Sequence, residues 1–201
     1  MKIIGITGGV GSGKSEVLRV IEELYSCTII RADELAKSLE RKGEVCYEPL
    51  INLLGEKILD ANDEIDSKKM AKAIFEADSN DLLLKVNNII HPEVKTRIKE
   101  LISLEKEKNE IDFFFIEAAL LIEEHYELIC DELWYIYADK DIRISRLKES
   151  RGYSDEKIKG IMDSQLDEGT FRKYCKVVVN NSGTLEATKK QIIDIIDKER
   201  V

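Results

Sequence analysis

The stretch KIIGITGGVGSGKSEV, residues 2–17, decides the fold. It opens on a near-continuous apolar run, Ile3-Ile4-Gly5-Ile6, of the kind a strand needs when both of its faces are buried. The run gives way to Gly8-Gly9-Val10-Gly11-Ser12-Gly13-Lys14-Ser15, which fits G-x-x-x-x-G-K-[ST], and a helical pattern from Glu16 to Tyr25 follows directly. Glycines let the backbone fold tightly around an anion with its N–H groups turned inward. The helix N-terminus adds a positive partial charge at the same spot. A nucleotide polyphosphate is the expected occupant, with Gly9, Val10, Gly11, Ser12, Gly13 and Glu16 as candidate nucleotide-binding positions. Lys14 supplies a mobile ammonium for the β and γ phosphates, and the Ser15 hydroxyl is placed to ligate Mg²⁺.

Outward from this loop, short β-rich runs alternate with amphipathic stretches at helical period, the pattern of a parallel sheet covered by crossover helices. The runs predict strands at Lys2 to Thr7, Thr28 to Arg31, Asp112 to Glu117, Leu133 to Ala138 and Lys176 to Asn180. The expected fold is therefore an α/β P-loop NTPase fold with a five-stranded parallel sheet. Between the second and third strands, apolar residues recur at three and four in LAKSL, LINLLGEKIL, MAKAIF and LLLKVNNII, too much helix for one crossover. We expect one P-loop domain over residues 1–201, with a helical, acceptor-side insert at about 34–110 and a helical lid at about 140–172. KEKNEID, from Lys106, reads as a charged loop, and Pro92 as an early helix position whose N–H is not needed. Trp134 and its tyrosine neighbours fall in a buried strand and read as core.

Composition narrows the function. A net charge of −9 argues against a chain built to hold a phosphate backbone, so no nucleic-acid partner is expected. No apolar run is long enough for a membrane span, and the N-terminus enters a strand rather than a signal segment, so we expect a cytoplasmic protein without a membrane partner. Cys27, Cys46, Cys130 and Cys175 are widely separated and read as reduced thiols.

The loop alone does not separate kinases from other nucleotide-binding proteins. Neither the N-K-x-D nor the D-x-x-G string of GTPases occurs, and a motor or transporter ATPase would be larger. Small size, the insert and an arginine-bearing late helix suit a small-molecule kinase with ATP as donor, in which catalysis is mostly positioning and charge neutralisation.

Several segments, in order along the chain, resemble the dephospho-CoA kinase family. GITGGVGSGKSEV is similar to its opening, and Arg31-Ala32-Asp33-Glu34-Leu35-Ala36 to its D-A-D-x-[IL]-A signature. Ile90-His91-Pro92 resembles its H-P, and Ala118-Ala119-Leu120-Leu121-Ile122-Glu123 its P-L-L-F-E. Arg146-Leu147, Arg151-Gly152 and Gln165 match its lid, and Asn181-Ser182-Gly183 its closing N-x-G. Only the P-loop is specific alone; the order of all the segments carries the resemblance.

The resemblance implies phosphorylation of the ribose 3′-hydroxyl of dephospho-CoA, the last step of coenzyme A biosynthesis. It implies Asp33 as the base that takes the hydroxyl proton, Arg146 and Arg151 as lid residues neutralising phosphoryl charge, and Asn181 beside the adenine. His91, Leu120 and Glu123 fall on the acceptor side. Plainer roles stand beside these. Asp33 could cap a helix, Arg143, Arg146 and Lys148 could solvate an exposed face, and Asn181 could open a turn. The chain departs from the family pattern at Arg31 for the first Asp of D-A-D, Ala119 for Pro, Cys175-Lys176 for Ala-Asp and Asn180 for the Asp of D-N. Strand alternation would put Arg31 and Asp33 on one face. These departures bear on the acceptor more than on the donor. They leave open a kinase for another nucleoside, nucleotide or hydroxyl compound, or a regulatory relative without transfer activity.

Overall fold

The computed structural model describes residues 1–76 and 80–199. The apolar run at the N-terminus is strand β1, Lys2–Thr7, and it lies at the middle of the sheet. β3, Phe113–Glu117, pairs with it in parallel through Ile4 and Phe115; β4, Glu132–Tyr137, does so on the other flank through Ile6 and Trp134. β5, Val177–Asn180, extends the sheet beyond β4, and β2, Cys27–Arg31, flanks β3, giving the order β2-β3-β1-β4-β5. All five expected strands form, each end within one residue of the apolar run that predicted it.

Alternation along the strands sends Ile4, Ile6, Phe113, Phe115, Trp134 and Ile136 into one core. Helix α1, Lys14–Leu24, covers it with Val17, Leu18, Val20 and Ile21. The last helix, α9, Leu185–Glu199, adds Ile192 and Ile196. Trp134 is a core residue as expected: its ring meets Phe115 edge to face at 6.0 Å, and its Nε1 donates to Glu132 at 2.5 Å. From the alternate position Tyr135 stacks on Phe171 at 4.7 Å.

The chain from Met1 to Ile30, with that from Asn109 onward, forms one compact unit; Arg31–Lys108 forms a second. The second unit contains α2, Ala32–Leu39, α3, Tyr47–Leu54, α4, Ser67–Glu76, and α5, Asn80–Lys108. In the first unit α6, Lys140–Arg151, α7, Asp155–Asp163, and α8, Glu168–Tyr174, follow β4.

Three expectations give way in the second unit. Pro92 stands inside α5, not near a helix start. The buried stripe Val86, Ile90, Val94, Ile98 and Ile102 repeats every fourth residue across it, and this packing outweighs the roughly 3 kcal/mol that an interior proline costs. The charged stretch from Lys106 stays helical through Lys108, because Lys108 pairs with Glu105 at 2.7 Å and basic residues suit a helix C-terminus. Only residues 109–112 form the loop. Finally, the strand ends at Arg31 and Ala32 opens α2, so strand alternation does not relate Arg31 to Asp33.

Candidate active site

In an open parallel sheet the crevice forms at the carboxyl ends of the strands, where the strand order reverses. Here that point is the end of β1, from which neighbours depart to both sides, and the glycine loop leaves the strand at this point. Gly13 caps α1 with φ +86, and its carbonyl accepts from the N–H groups of Glu16 at 3.0 Å and Val17 at 3.1 Å. A Cβ there would collide with Asn181 Nδ2, so both conformation and space demand glycine.

Lys14 Nζ donates to the Gly8 carbonyl at 2.9 Å and lies 3.7 Å from Glu117 Oε1. Glu117 went unremarked in the sequence, although a carboxylate closing the apolar run Phe113 to Ile116 beside the P-loop strand was a visible signal. Ser15 is exposed at the start of α1. Glu16 is engaged within its own helix: Arg19 Nη2 donates to Oε1 at 2.5 Å, and this bond, above all, holds the carboxyl below its ordinary range.

The buried hydroxyls of Thr7 and Ser12 have no hydrogen-bond partner among the described residues. An orphaned buried hydroxyl costs about 1–3 kcal/mol, and a phosphate oxygen seated in the loop would relieve that cost at Ser12. The Ser15 hydroxyl and Glu117 carboxylate are hard oxygen donors of the kind Mg²⁺ takes. Among the described residues no group of three or more His, Cys, Asp or Glu could hold a metal by itself. Mg²⁺ in this loop would therefore share its coordination with the nucleotide.

Side chains from the C-terminal half grip the loop from outside. Arg143 Nε donates to the Val10 carbonyl at 2.8 Å, and its Nη2 to Gln165 Oε1 at 3.0 Å. Gln165 Oε1 also accepts from the Val10 N–H at 3.0 Å. Arg146 donates to the Ser12 carbonyl at 3.3 Å and the Asn181 carbonyl at 2.9 Å. The Asn181 amide is buried; Nδ2 donates to the Ser12 carbonyl at 2.8 Å and Oδ1 accepts from Thr188 at 2.9 Å. The side chain expected beside a base is thus committed to the loop backbone. Burial lowers the pKa of Arg143, but a guanidinium keeps its charge.

Arg151, the last residue of α6, is exposed, with its guanidinium carbon 5.9 Å from the Tyr153 ring centre. Leu120 and Glu123 are exposed on the turn leaving β3, which the buried Leu121 and Ile122 anchor. Asp33 belongs to the second unit, exposed in the first turn of α2 and not at its cap, which is Arg31. It makes no hydrogen bond or ion pair among the described residues. His91 is half-buried in α5 of the same unit. Burial pushes the Cys130 and Cys175 thiols up to about 12, so neither offers a thiolate.

A family model described as dephospho-CoA kinase matches residues 2–187. A dephospho-CoA kinase of Carboxydothermus hydrogenoformans is 34% identical, over 98% of this chain and 94% of that protein. The crystal structure of TT1252 from Thermus thermophilus superposes with a TM-score of 0.84 at 26% identity, over 100% of this chain and 98% of the other. A dephospho-CoA kinase structure from Campylobacter jejuni shares the fold, with a TM-score of 0.73 at 22% identity over 99% and 98% of the two chains.

Proposed function

The chain belongs to the dephospho-CoA kinase family, and we propose that it moves the γ-phosphoryl group of ATP to the ribose 3′-hydroxyl of dephospho-CoA, yielding CoA. The observation that carries the donor side is Lys14, held between the Gly8 carbonyl and Glu117 at the head of a loop whose buried Ser12 hydroxyl has no hydrogen-bond partner among the described residues. The loop N–H groups and Lys14 bind the β and γ phosphates, placing the γ-phosphorus for in-line attack. Asp33, uncommitted in the first turn of α2, takes the proton of the acceptor hydroxyl as its oxygen bonds to phosphorus.

Arg146 and Arg151, in the segment we assign as the lid, stabilise charge on the transferred oxygens and on the ADP leaving group. Ser15 and Glu117 would hold Mg²⁺, which when bound neutralises phosphate charge. His91, Leu120 and Glu123 contact the acceptor; Asn181 serves the nucleotide through the Ser12 carbonyl. We place the reaction in the cytoplasm, with no nucleic-acid or membrane partner; among the described residues no helix is long and apolar enough to cross a membrane.

The test is a coupled assay of ADP release with dephospho-CoA against a panel of nucleosides, nucleotides and small alcohols. Turnover of dephospho-CoA well above the rest is expected, and equal or lower turnover would overturn the acceptor. Asp33→Asn should lower kcat by about 10²–10⁴-fold with ADP binding retained; an unchanged kcat would remove Asp33 from the base role.

A further inference from the structure

The bonds around Val10 form a closed ring that Lys14, Asp33 and the phosphate chemistry do not require. Both backbone groups of Val10 are held by two side chains that also hold each other: its N–H by Gln165 Oε1, its C=O by Arg143 Nε, with Arg143 Nη2 donating to the same Gln165 oxygen. Sequence distance gives no hint of this. Arg143 lies on α6 and Gln165 between α7 and α8, 133 and 155 positions from the loop.

A trans peptide is planar, with its C=O and N–H pointing in opposite directions. Fixing a carbonyl therefore aims the N–H of the next residue. Arg143 holds the carbonyl of the peptide joining Val10 to Gly11, so the Gly11 N–H is directed away from Arg143. Asn181 and Arg146 do the same two peptides later, turning the Gly13 N–H away from themselves. The intervening constraint comes from within the loop, where the Ser12 N–H donates to the Gly9 carbonyl at 3.1 Å. That bond alone leaves the peptide between Gly9 and Val10 free to tilt about its carbonyl. Gln165 removes the freedom by taking the N–H at its other end.

The guanidinium of Arg143 lies flat against the loop: a Cβ on Gly9 would overlap its Nη2 and Cζ. Both of its acceptors among the described residues, the Val10 carbonyl and Gln165 Oε1, are neutral oxygens, so its charge stays available to the loop. Its Nε and Nη2 are committed to the Val10 carbonyl and to Gln165, which suits holding the loop.

We propose that Arg143 and Gln165 are positioning residues for the nucleotide diphosphate, a latch that fixes the peptides on either side of Val10 and so sets the direction of the Gly11 N–H. The latch rests on the reading of the loop as the ATP site. On it, Val10 serves nucleotide binding through the latch and does not itself hold phosphate.

The experiment measures ADP affinity by calorimetry, with steady-state kinetics in ATP and dephospho-CoA, for the wild type, Arg143→Ala, Arg143→Lys, Gln165→Ala and the Arg143→Ala/Gln165→Ala double variant. Losing charge-assisted bonds should raise the ADP Kd and the ATP KM by about tenfold or more in Arg143→Ala, with a smaller rise in Gln165→Ala. The kcat at saturating ATP and the KM for dephospho-CoA should hold within about threefold, since uniform binding is what is lost. Arg143→Lys, with a single donor head in place of the fork, should fall between. The double variant should be little worse than Arg143→Ala, because the two act as one unit.

An unchanged ADP Kd in both Arg143→Lys and Gln165→Ala would overturn the latch. So would a kcat that falls at constant ADP affinity, which would instead make Arg143 a catalytic group. If Arg143→Ala does not fold, by its thermal transition without nucleotide, the other two single variants decide. A wild type that binds no ADP would sink the nucleotide site itself, and the latch with it.

Discussion

Replacing Asn181 with alanine should both loosen the fold and weaken every ligand that uses the loop. Its side chain is buried and carries two hydrogen bonds, at 2.8 Å to the Ser12 carbonyl and 2.9 Å from Thr188. Removing them loses about 0.5–1.5 kcal/mol each. Neither partner is fully orphaned: Arg146 still reaches Ser12 at 3.3 Å, and Thr188 still donates to the Thr184 carbonyl at 3.3 Å. The small void left by the amide adds to the loss, for a total of about 2–3 kcal/mol. In a chain of this size that lowers Tm by roughly 5–10 °C, measurable by calorimetry.

The same variant separates two roles for Asn181. If the amide shapes the loop through Ser12, ADP and inorganic pyrophosphate lose affinity by the same factor, because both seat their phosphates there. If it reads the adenine edge, ADP weakens and pyrophosphate does not. An unshifted Tm, or a loss confined to ADP, would refute the reasoning from the Ser12 bond.

Glu117→Gln takes the carboxylate from beside Lys14 and should lower kcat by about 10–100-fold while raising the Mg²⁺ concentration for half-maximal rate. A Mg²⁺ titration of the rate checks it, and an unmoved midpoint would take Glu117 out of the metal site. Pro92→Ala returns the missing N–H to the interior of α5 and should stabilise by about 1–2 kcal/mol, the helix gain less the unfolded-chain entropy that proline removes, read from urea midpoints. Burial raises the Glu40 pKa in the folded chain, with Lys37 opposing. The folded state thus favours the protonated carboxyl, and stability falls as pH rises from the ordinary value of 4.5 through the folded pKa. Glu40→Gln should accordingly be the more stable protein at neutral pH, an advantage that disappears below the ordinary carboxyl range. A constant difference across that range would contradict the burial argument.

The sheet was legible because strands buried on both faces must be written as apolar runs, and Ile3 to Ile6 and Phe113 to Ile116 are such runs, while the apolar Val177 to Val179 marks the edge strand β5, where only Val179 is fully buried. The turn at Gly8 to Ser15 was legible because binding an anion with backbone demands glycine at set positions. Where local rules competed with packing, packing won. A proline normally marks a helix start, but the stripe from Val86 to Ile102 carried α5 through Pro92. Arg31 and Asp33 were paired by a two-residue period that stops when Ala32 begins a helix.

The grip on the loop was harder to see because its acceptors are backbone carbonyls, which every residue has. No complementary residue marks the partner of Arg143 or Arg146 as an acid would mark an ion pair. One signal was nevertheless present. At about 100° per residue, Arg143 and Arg146 stand about 60° apart around α6, whereas Arg151 stands about 140° from Arg146. The observed contacts follow that division: Arg143 and Arg146 both reach loop carbonyls, and Arg151 is exposed beside Tyr153. Three arginines on one helix therefore do different work. Two are already bound into the wall of the phosphate site, and Arg151 is the one whose charge is not committed to the loop.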